Sequence, residues 1–571
     1  MKRIIAITTL LFTTCCMVFA NDSIQREVTI TKDFTPIVRD AEKINSLPPI
    51  GTPDFERRAV NYCFDAAATQ VSTIATNVNI PYSPMYENIA KRHRGYFDLN
   101  IGTYLAMSAN AGYRFVDTKK DQLNIGLQFT SLNWDIPVNS HATTIPEEKT
   151  RQNFYDARAG LHYAHIFDNN ITVALNGAYR YLDFNYYGVS GDPIATLPSH
   201  PFQKVHNFMA EIKVDNSEAY QYDYEQWHIT GGYSLYRNNN GTYLPDASGE
   251  HHAYIDGAYS FMLDDYWSVG GDAELDYLLY NGLIPAGSDI DDLIAADNDL
   301  NTRTEYVFMA RINPHADWRA NRMHFRGGIK VDISAGDGTI FRFAPDIHFN
   351  WEFVENYFVF ASIDGGKQLH TWNDISQYCI YFDPSQRIPS SYTPLDSHLG
   401  VKLHFIPELS LSLHGGYEIV ADALFQSIGH SSRAISWQTI DANCFKTGAR
   451  IDANISSYVT LTLDAAYRLW KHDGTAITYN RPRWEGNAHV TIHPHNQFDV
   501  ELGYNMQLDR NFGVYGSLSD IYNLQASVIY SPLHWLSIKA HGNNLLNRRY
   551  DYYYGLPAPR IQAMIGVGIK L

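Results

Sequence analysis

Beyond Gly95 the chain alternates apolar and polar residues again and again. In residues 560–571 the odd positions Ile561, Ala563, Ile565, Val567, Ile569 and Leu571 are all apolar, and the even ones are polar, small or flexible. A period of two puts each set on its own face of a β-strand. Leu409, Leu411, Leu413, Tyr417 and Ile419 alternate with Ser410, Ser412, His414 and Glu418 in the same way, as do Val459, Leu461, Leu463, Ala465 and Tyr467 with Thr460, Thr462, Asp464 and Arg468. Phe498, Val500, Leu502, Tyr504 and Met506 alternate with Asp499, Glu501, Asn505 and Gln507. A soluble sandwich would need a second sheet to cover its apolar faces. Repetition without a domain break is met more economically by one closed sheet.

The connections are of two kinds. Short turns at 167–170, 264–266, 354–356, 406–408, 456–457 and 493–496 alternate with long polar loops near 133–152, 185–201, 237–251, 281–302, 365–394, 420–440, 470–482 and 544–559. Outer-membrane barrels have this asymmetry, with short periplasmic turns and long external loops. The expected fold is all-β: a large transmembrane antiparallel β-barrel of about 22 strands, range about 20 to 24, with both ends in the periplasm. Phe358 to Ile363 and Asn523 to Tyr530 read ambiguously as strands.

Residues 1–20 read as a secretory signal, with Lys2 and Arg3 ahead of an apolar core and Val18-Phe19-Ala20 as cleavage site. A lipoprotein signal at Cys15 or Cys16 is the rival, poorly matched by Phe12, Thr13 and Thr14. No other stretch approaches the roughly 18 continuous apolar residues of a membrane helix. Residues 21–94 lack alternation and carry Pro36, Pro48, Pro49, Pro53, Pro81 and Pro84, which predicts an extended periplasmic or lumen-threading arm before a barrel at 95–571. An aromatic share of 14%, led by Tyr, fits rings at two membrane interfaces. The formal charge of −17 argues against nucleic acid as a partner. After signal removal Cys63, Cys379 and Cys444 remain, an odd number that excludes a disulfide framework while leaving room for one bridge.

Before the last strand stand Asn543-Asn544-Leu545-Leu546-Asn547-Arg548-Arg549-Tyr550 and Gly555-Leu556-Pro557-Ala558-Pro559-Arg560. With the final alternating strand, this resembles the C-terminal signature of TonB-dependent outer-membrane receptors. Leu556 replaces the usual aromatic, and the chain ends in Leu571 where Phe is usual. The resemblance implies transport or binding of a small solute or nutrient across the outer membrane of a Gram-negative bacterium. It also implies as partners outer-membrane lipid, the barrel-assembly machinery and an energising periplasmic protein. Glu27, Val28, Thr29, Ile30 and Thr31 are the candidate partner-pairing strand, since strand addition needs little side-chain identity; for the same reason the signal is weak, and a β-prone linker is the plainer reading of the residues. The arm is shorter than a plug domain of that family, so the resemblance covers the barrel and not its gate.

If the apolar face meets lipid, the other face lines the lumen. Lys446, Arg450, Asp464, Arg468, Arg481, Arg483 and Glu485 then share one inner wall. Grouped guanidinium forks suit carboxylates or phosphates, but Asp452, Asp464 and Glu485 stand among them and favour mutual ion pairing. The acidic run at 289–299 fails the spacing of a calcium loop. His251, His252 and His430 show no metal-ligand spacing and read as surface loop residues. There is no Gly-x-Ser-x-Gly elbow and no His-Glu-x-x-His, and no cofactor is expected. Beside a receptor-type barrel stand two alternatives, a passive porin and a structural subunit of an outer-membrane complex. In every case something must obstruct so wide a lumen: the arm, inward-folded loops or a second protein.

Overall fold

The computed structural model describes residues 93–137, 149–187, 202–216, 225–240, 247–283, 303–320, 322–428, 434–472, 481–511, 517–553 and 556–571. Beside two short two-stranded pairings, Arg510–Asn511 with Ser517–Leu518 and Asp551–Tyr553 with Leu556–Pro557, they include one antiparallel sheet of 22 strands. The first eleven are β1 (Gly95–Gly102), β2 (Met107–Asp117), β3 (Asp121–Pro137), β4 (Lys149–Ile166), β5 (Thr172–Asn185), β6 (Phe202–Asp215), β7 (Glu225–Asn238), β8 (Ser248–Met262), β9 (Trp267–Leu283), β10 (Arg303–Ala320) and β11 (Met323–Ala335). The rest are β12 (Phe341–Val354), β13 (Tyr357–Gln368), β14 (Ser391–Ile406), β15 (Leu409–Ile428), β16 (Ile435–Ser456), β17 (Val459–His472), β18 (Trp484–His495), β19 (Phe498–Leu508), β20 (Ile521–Leu533), β21 (Leu536–Asn543) and β22 (Gln562–Lys570). Both ambiguous stretches are strands: Phe358 to Ile363 lies in β13 and Asn523 to Tyr530 in β20.

Each strand pairs with the next, and β22 returns to β1 with Leu99 opposite Val567 and Asn100 opposite Gly566. Gly95 and Leu571 exchange backbone hydrogen bonds of 3.1 and 2.7 Å, so the sheet closes and leaves no open edge. The small even positions of the last strand have a local cause at this seam. A Cβ on Gly566 would stand 1.8 Å from Asn100 Oδ1, so the close approach needs glycine.

The two faces divide as the alternation predicts. Ile101, Leu127, Ile212, Ile255 and Ile312 are large apolar side chains left more than half exposed on the outside. A ring of such residues around a closed cylinder is a surface for hydrocarbon. The inner face is charged and paired. Arg311 on β10 bridges Glu274 on β9 at 2.8 Å and Asp332 on β11 at 2.7 Å, while Arg326 on β11 reaches Asp272 at 3.1 Å and Asp346 on β12 at 3.2 Å. Substituting Ile255→Arg is expected to cost about 2–4 kcal/mol if this position sits at mid-bilayer. Urea titration of the barrel folded into lipid vesicles checks it, with the neighbouring lumen-side Asp256→Asn expected to cost less.

β1 and β21 have 8 residues each, but most strands exceed the roughly 9–11 residues that cross a bilayer; β16 has 22 and β15 has 20. Their surplus builds a wall around the mouth at the long-loop end. Several segments read as loop are therefore strand, including His251 and His252, which lie in β8.

Candidate functional site

The connection between β13 and β14, residues 369–390, does not stand up from the barrel. It folds into the mouth and carries one short helix, α1 (Trp372–Tyr378). Thr371 caps it, its side chain accepting from the Asp374 N–H at 3.0 Å. Trp372, Ile375, Cys379, Ile380, Tyr381 and Phe382 are 2% exposed or less. They share one apolar core with Leu132 and Trp134 of β3, Leu182 and Phe184 of β5, Tyr236 of β7, Leu278 and Tyr280 of β9 and Leu424 of β15. One segment reaches strands so far apart around the cylinder only by crossing its interior.

Polar contacts fix it from several sides. Glu250 on β8, 1% exposed, accepts from the Trp372 N–H at 2.6 Å and the Asn373 N–H at 3.4 Å. Arg180 on β5 donates to Ser376 Oγ at 3.3 Å, Gln152 on β4 donates to the Tyr381 hydroxyl at 2.9 Å, and Asn207 on β6 donates to Asn373 Oδ1. On the opposite side Ile435 of β16 donates to Tyr381 O at 2.8 Å, and Tyr553 donates to Tyr378 O at 2.5 Å. The segment is a lid across the mouth. Each fully buried large apolar side chain in it contributes about 1.5–3 kcal/mol to its docking.

Two lid residues have shifted acidities. Burial pushes the Cys379 thiol up to about 12, so the docked thiol is unreactive. Burial, and then the nearby Arg481, bring His370 down to about 4 against an opposing pull from Asp337; its Nε2 lies 2.8 Å from Ser391 Oγ. The undocked lid therefore binds the proton more readily. The histidine's own contribution to docking is fully present above about pH 6.5, its ordinary value, and is lost as pH falls from there toward 4. On going from pH 7.5 to pH 5, lid-opening events in bilayer recordings are expected to rise relative to those of a His370→Gln chain treated alike. The same change with pH in both chains would contradict this.

Beneath the lid lies a cavity of about 440 Å³ lined by β8, β9, β10, β13, β14, β15 and α1. Six carboxylates face it, and Arg311 and Lys367 are the lining residues with a fixed positive charge.

The inner-wall residues expected from the sequence are placed as follows. Lys446 lies 2.7 Å from Asp396 and 3.2 Å from Glu418; Arg450 lies 3.0 Å from Asp452 and opposite Asp464 in the ladder. Arg468 pairs with Glu485, and Arg483 lies 2.6 Å from Asp509. Arg481 and Arg483 precede β18 and do not belong to it, because Pro482 between them lacks a ladder N–H. Arg481 rests its guanidinium 4.5 Å from the Phe425 ring centre and 4.4 Å from that of Trp470. Lys446, Arg450, Arg468, Arg483 and Glu485 are thus ion-paired, Arg481 is packed on rings, and none of the seven is among the residues lining the cavity. His252, read from the sequence as a surface residue, does line it, and its Nε2 lies 2.8 Å from Asp276 Oδ1. Cys379 and Cys444 are both free and buried. Glu27 to Thr31, the acidic run at 289–299 and His430 lie outside the described residues.

Among the described residues one group could gather ligand atoms around a metal ion, Asp346, His348 and Asp364, within 4.8 Å of one another. Protein cations already occupy it: Arg326 lies 3.2 Å from Asp346 and Lys330 lies 2.5 Å from Asp364.

No family model matches the chain, and no curated protein matches it. Solved structures do. A ferric enterobactin receptor mutant from Pseudomonas aeruginosa is 10% identical with a TM-score of 0.61, over 83% of this chain and 80% of that one. A siderophore receptor from Acinetobacter baumannii is 10% identical with a TM-score of 0.61, over 85% and 81%. An iron transporter from Neisseria meningitidis is 9% identical with a TM-score of 0.60, over 85% and 82%. At such identities the likeness is one of fold.

Proposed function

We propose that this chain is an outer-membrane receptor barrel that takes up a small solute from outside the cell. The observation that carries this reading is the lid: a docked segment over a charged lumen suits capture and gated passage. The likeness in fold to siderophore receptors and an iron transporter supports it. In this reading the long-loop end is external, both termini are periplasmic, and residues 1–20 direct export. Glu27 to Thr31 offer a strand to an energising periplasmic protein by main-chain pairing. The role is binding and passage, with no catalytic step.

A lid lock tests the proposal. Asn207→Cys with Asn373→Cys joins lid to wall where the native side chains already meet. In a strain lacking the gene and grown under nutrient limitation, the locked chain is expected to fail to restore growth until a reductant is added. Full rescue by the oxidised, locked chain would overturn uptake through the lidded mouth and favour a structural subunit.

A further inference from the structure

Glu274, Asp276, Asp364, Asp374, Asp396 and Glu418 face the cavity beneath the lid, and its positive groups are already engaged. Arg311 is held between Glu274 and Asp332. The Lys367 ammonium is turned away, donating to Ser334 Oγ at 2.7 Å and Asp337 O at 2.5 Å. Lys330 serves Asp364, and the single ammonium of Lys446 is shared by Asp396 and Glu418. Two carboxylates of the lining are left over, one from the lid and one from the wall. Asp374 comes from the lid, in the first turn of α1. Asp276 comes from the wall and is 5% exposed; its Oδ1 is met by His252, but its buried Oδ2 has no hydrogen-bond donor. A buried carboxylate oxygen without a donor costs free energy that a bound cation would recover.

The acids are dispersed over β9, β13, β14, β15 and the lid, which decides the kind of cation. A metal ion needs oxygens converging on one point at about 2.3–2.6 Å. The one convergent group among the described residues shares only Asp364 with this lining. Separated carboxylates suit separated positive groups. Met309 and Leu369 supply apolar surface in the same lining for the methylenes between them. The volume lies within the usual range for small-molecule sites.

We infer that the cavity binds an organic cation carrying two or more spaced amines, held between Asp276 on the wall and Asp374 on the lid. The inference rests on the uptake reading and names its solute class. Because one carboxylate belongs to the lid, such a ligand binds the closed form better than the open one and stabilises it.

Titration calorimetry of the full chain in detergent with spermidine tests this. Saturable binding is expected, weakened at least tenfold by Asp374→Asn, which alters an exposed lid residue and leaves the core intact. Asp276→Asn is expected to weaken it similarly. Spermidine is also expected to slow alkylation of Cys379 by a maleimide, and magnesium at equal ionic strength is not. Absence of saturable binding, unchanged affinity in Asp374→Asn, or full displacement by magnesium would overturn the inference. The lid lock separates the two readings: a locked chain that fails to restore growth, in a protein that ignores spermidine, removes only the organic cation.

Discussion

Excising residues 371–388 from a chain that also lacks residues 21–92 is expected to turn an electrically quiet barrel into a steady wide pore. The arm-deleted chain with its lid intact is the comparison. A 22-stranded cylinder encloses a lumen wider than its own wall side chains can fill, and the wall here is charged and hydrated. What spans the mouth is the core built on Trp372, Ile375, Tyr381 and Phe382, together with Tyr553 and Leu556 from the connection before β22. Removing it leaves the ladder untouched, since α1 pairs with no strand and β13 and β14 are already hydrogen-bonded to each other. Planar-bilayer conductance is expected to rise about tenfold or more, as an unplugged lumen of this strand number predicts. A passive porin would instead conduct steadily with its lid in place. Equal currents with and without 371–388 would show that the segment obstructs nothing.

The second large effect is expected from Trp372→Ala. Trp372 is fully buried, meets Tyr236, Tyr280 and Phe382 ring to ring at 5.3 to 6.5 Å, and donates its indole N–H to Gln386 O at 3.2 Å. Truncating a buried Trp to Ala costs about 3–5 kcal/mol. All of that cost falls on lid docking, because the closed sheet has its own hydrogen bonds and its own outer face. At about 1.4 kcal/mol per decade, the open fraction rises by about a hundredfold or more. Cys379, inert while docked, reports it: its alkylation rate in membranes is expected to rise by that factor while the unfolding midpoint of the barrel stays unchanged. Loss of the barrel itself would mean that Trp372 serves the whole fold, and an unchanged rate would mean that the lid is held by other contacts.

The barrel was legible in the sequence because its signal is local. Period-two alternation needs only one strand to be seen, and the turn chemistry at 167–170 or 493–496 lies between neighbours in sequence. The mouth was not legible, for the opposite reason. Gln152 and Tyr381 hydrogen-bond across 229 residues, and no local pattern announces such a contact. A hint was present in the run Trp372 to Phe382, which is too apolar for an external loop exposed to water. The inner wall was half legible. Alternation placed Lys446, Arg450, Asp464, Arg468 and Glu485 on one face, but it carries no information about partners on other strands, so Asp396 and Glu418 were not foreseen as the groups around Lys446. The strands also run past the bilayer thickness used to mark their ends. That moved His252 from an expected loop into the wall of the cavity.

The lid's seat inside the barrel is tested most directly by oxidative cross-linking of Asn207→Cys with Asn373→Cys in native membranes, positions 166 residues apart in sequence. The neighbouring-strand pair Asn487→Cys with Asn505→Cys, opposite each other in the ladder of β18 and β19, supplies the reference yield. A docked lid predicts that both pairs cross-link to the same extent under a mild oxidant. Efficient joining of 487 to 505 with none between 207 and 373 would place the segment outside the mouth and contradict the account.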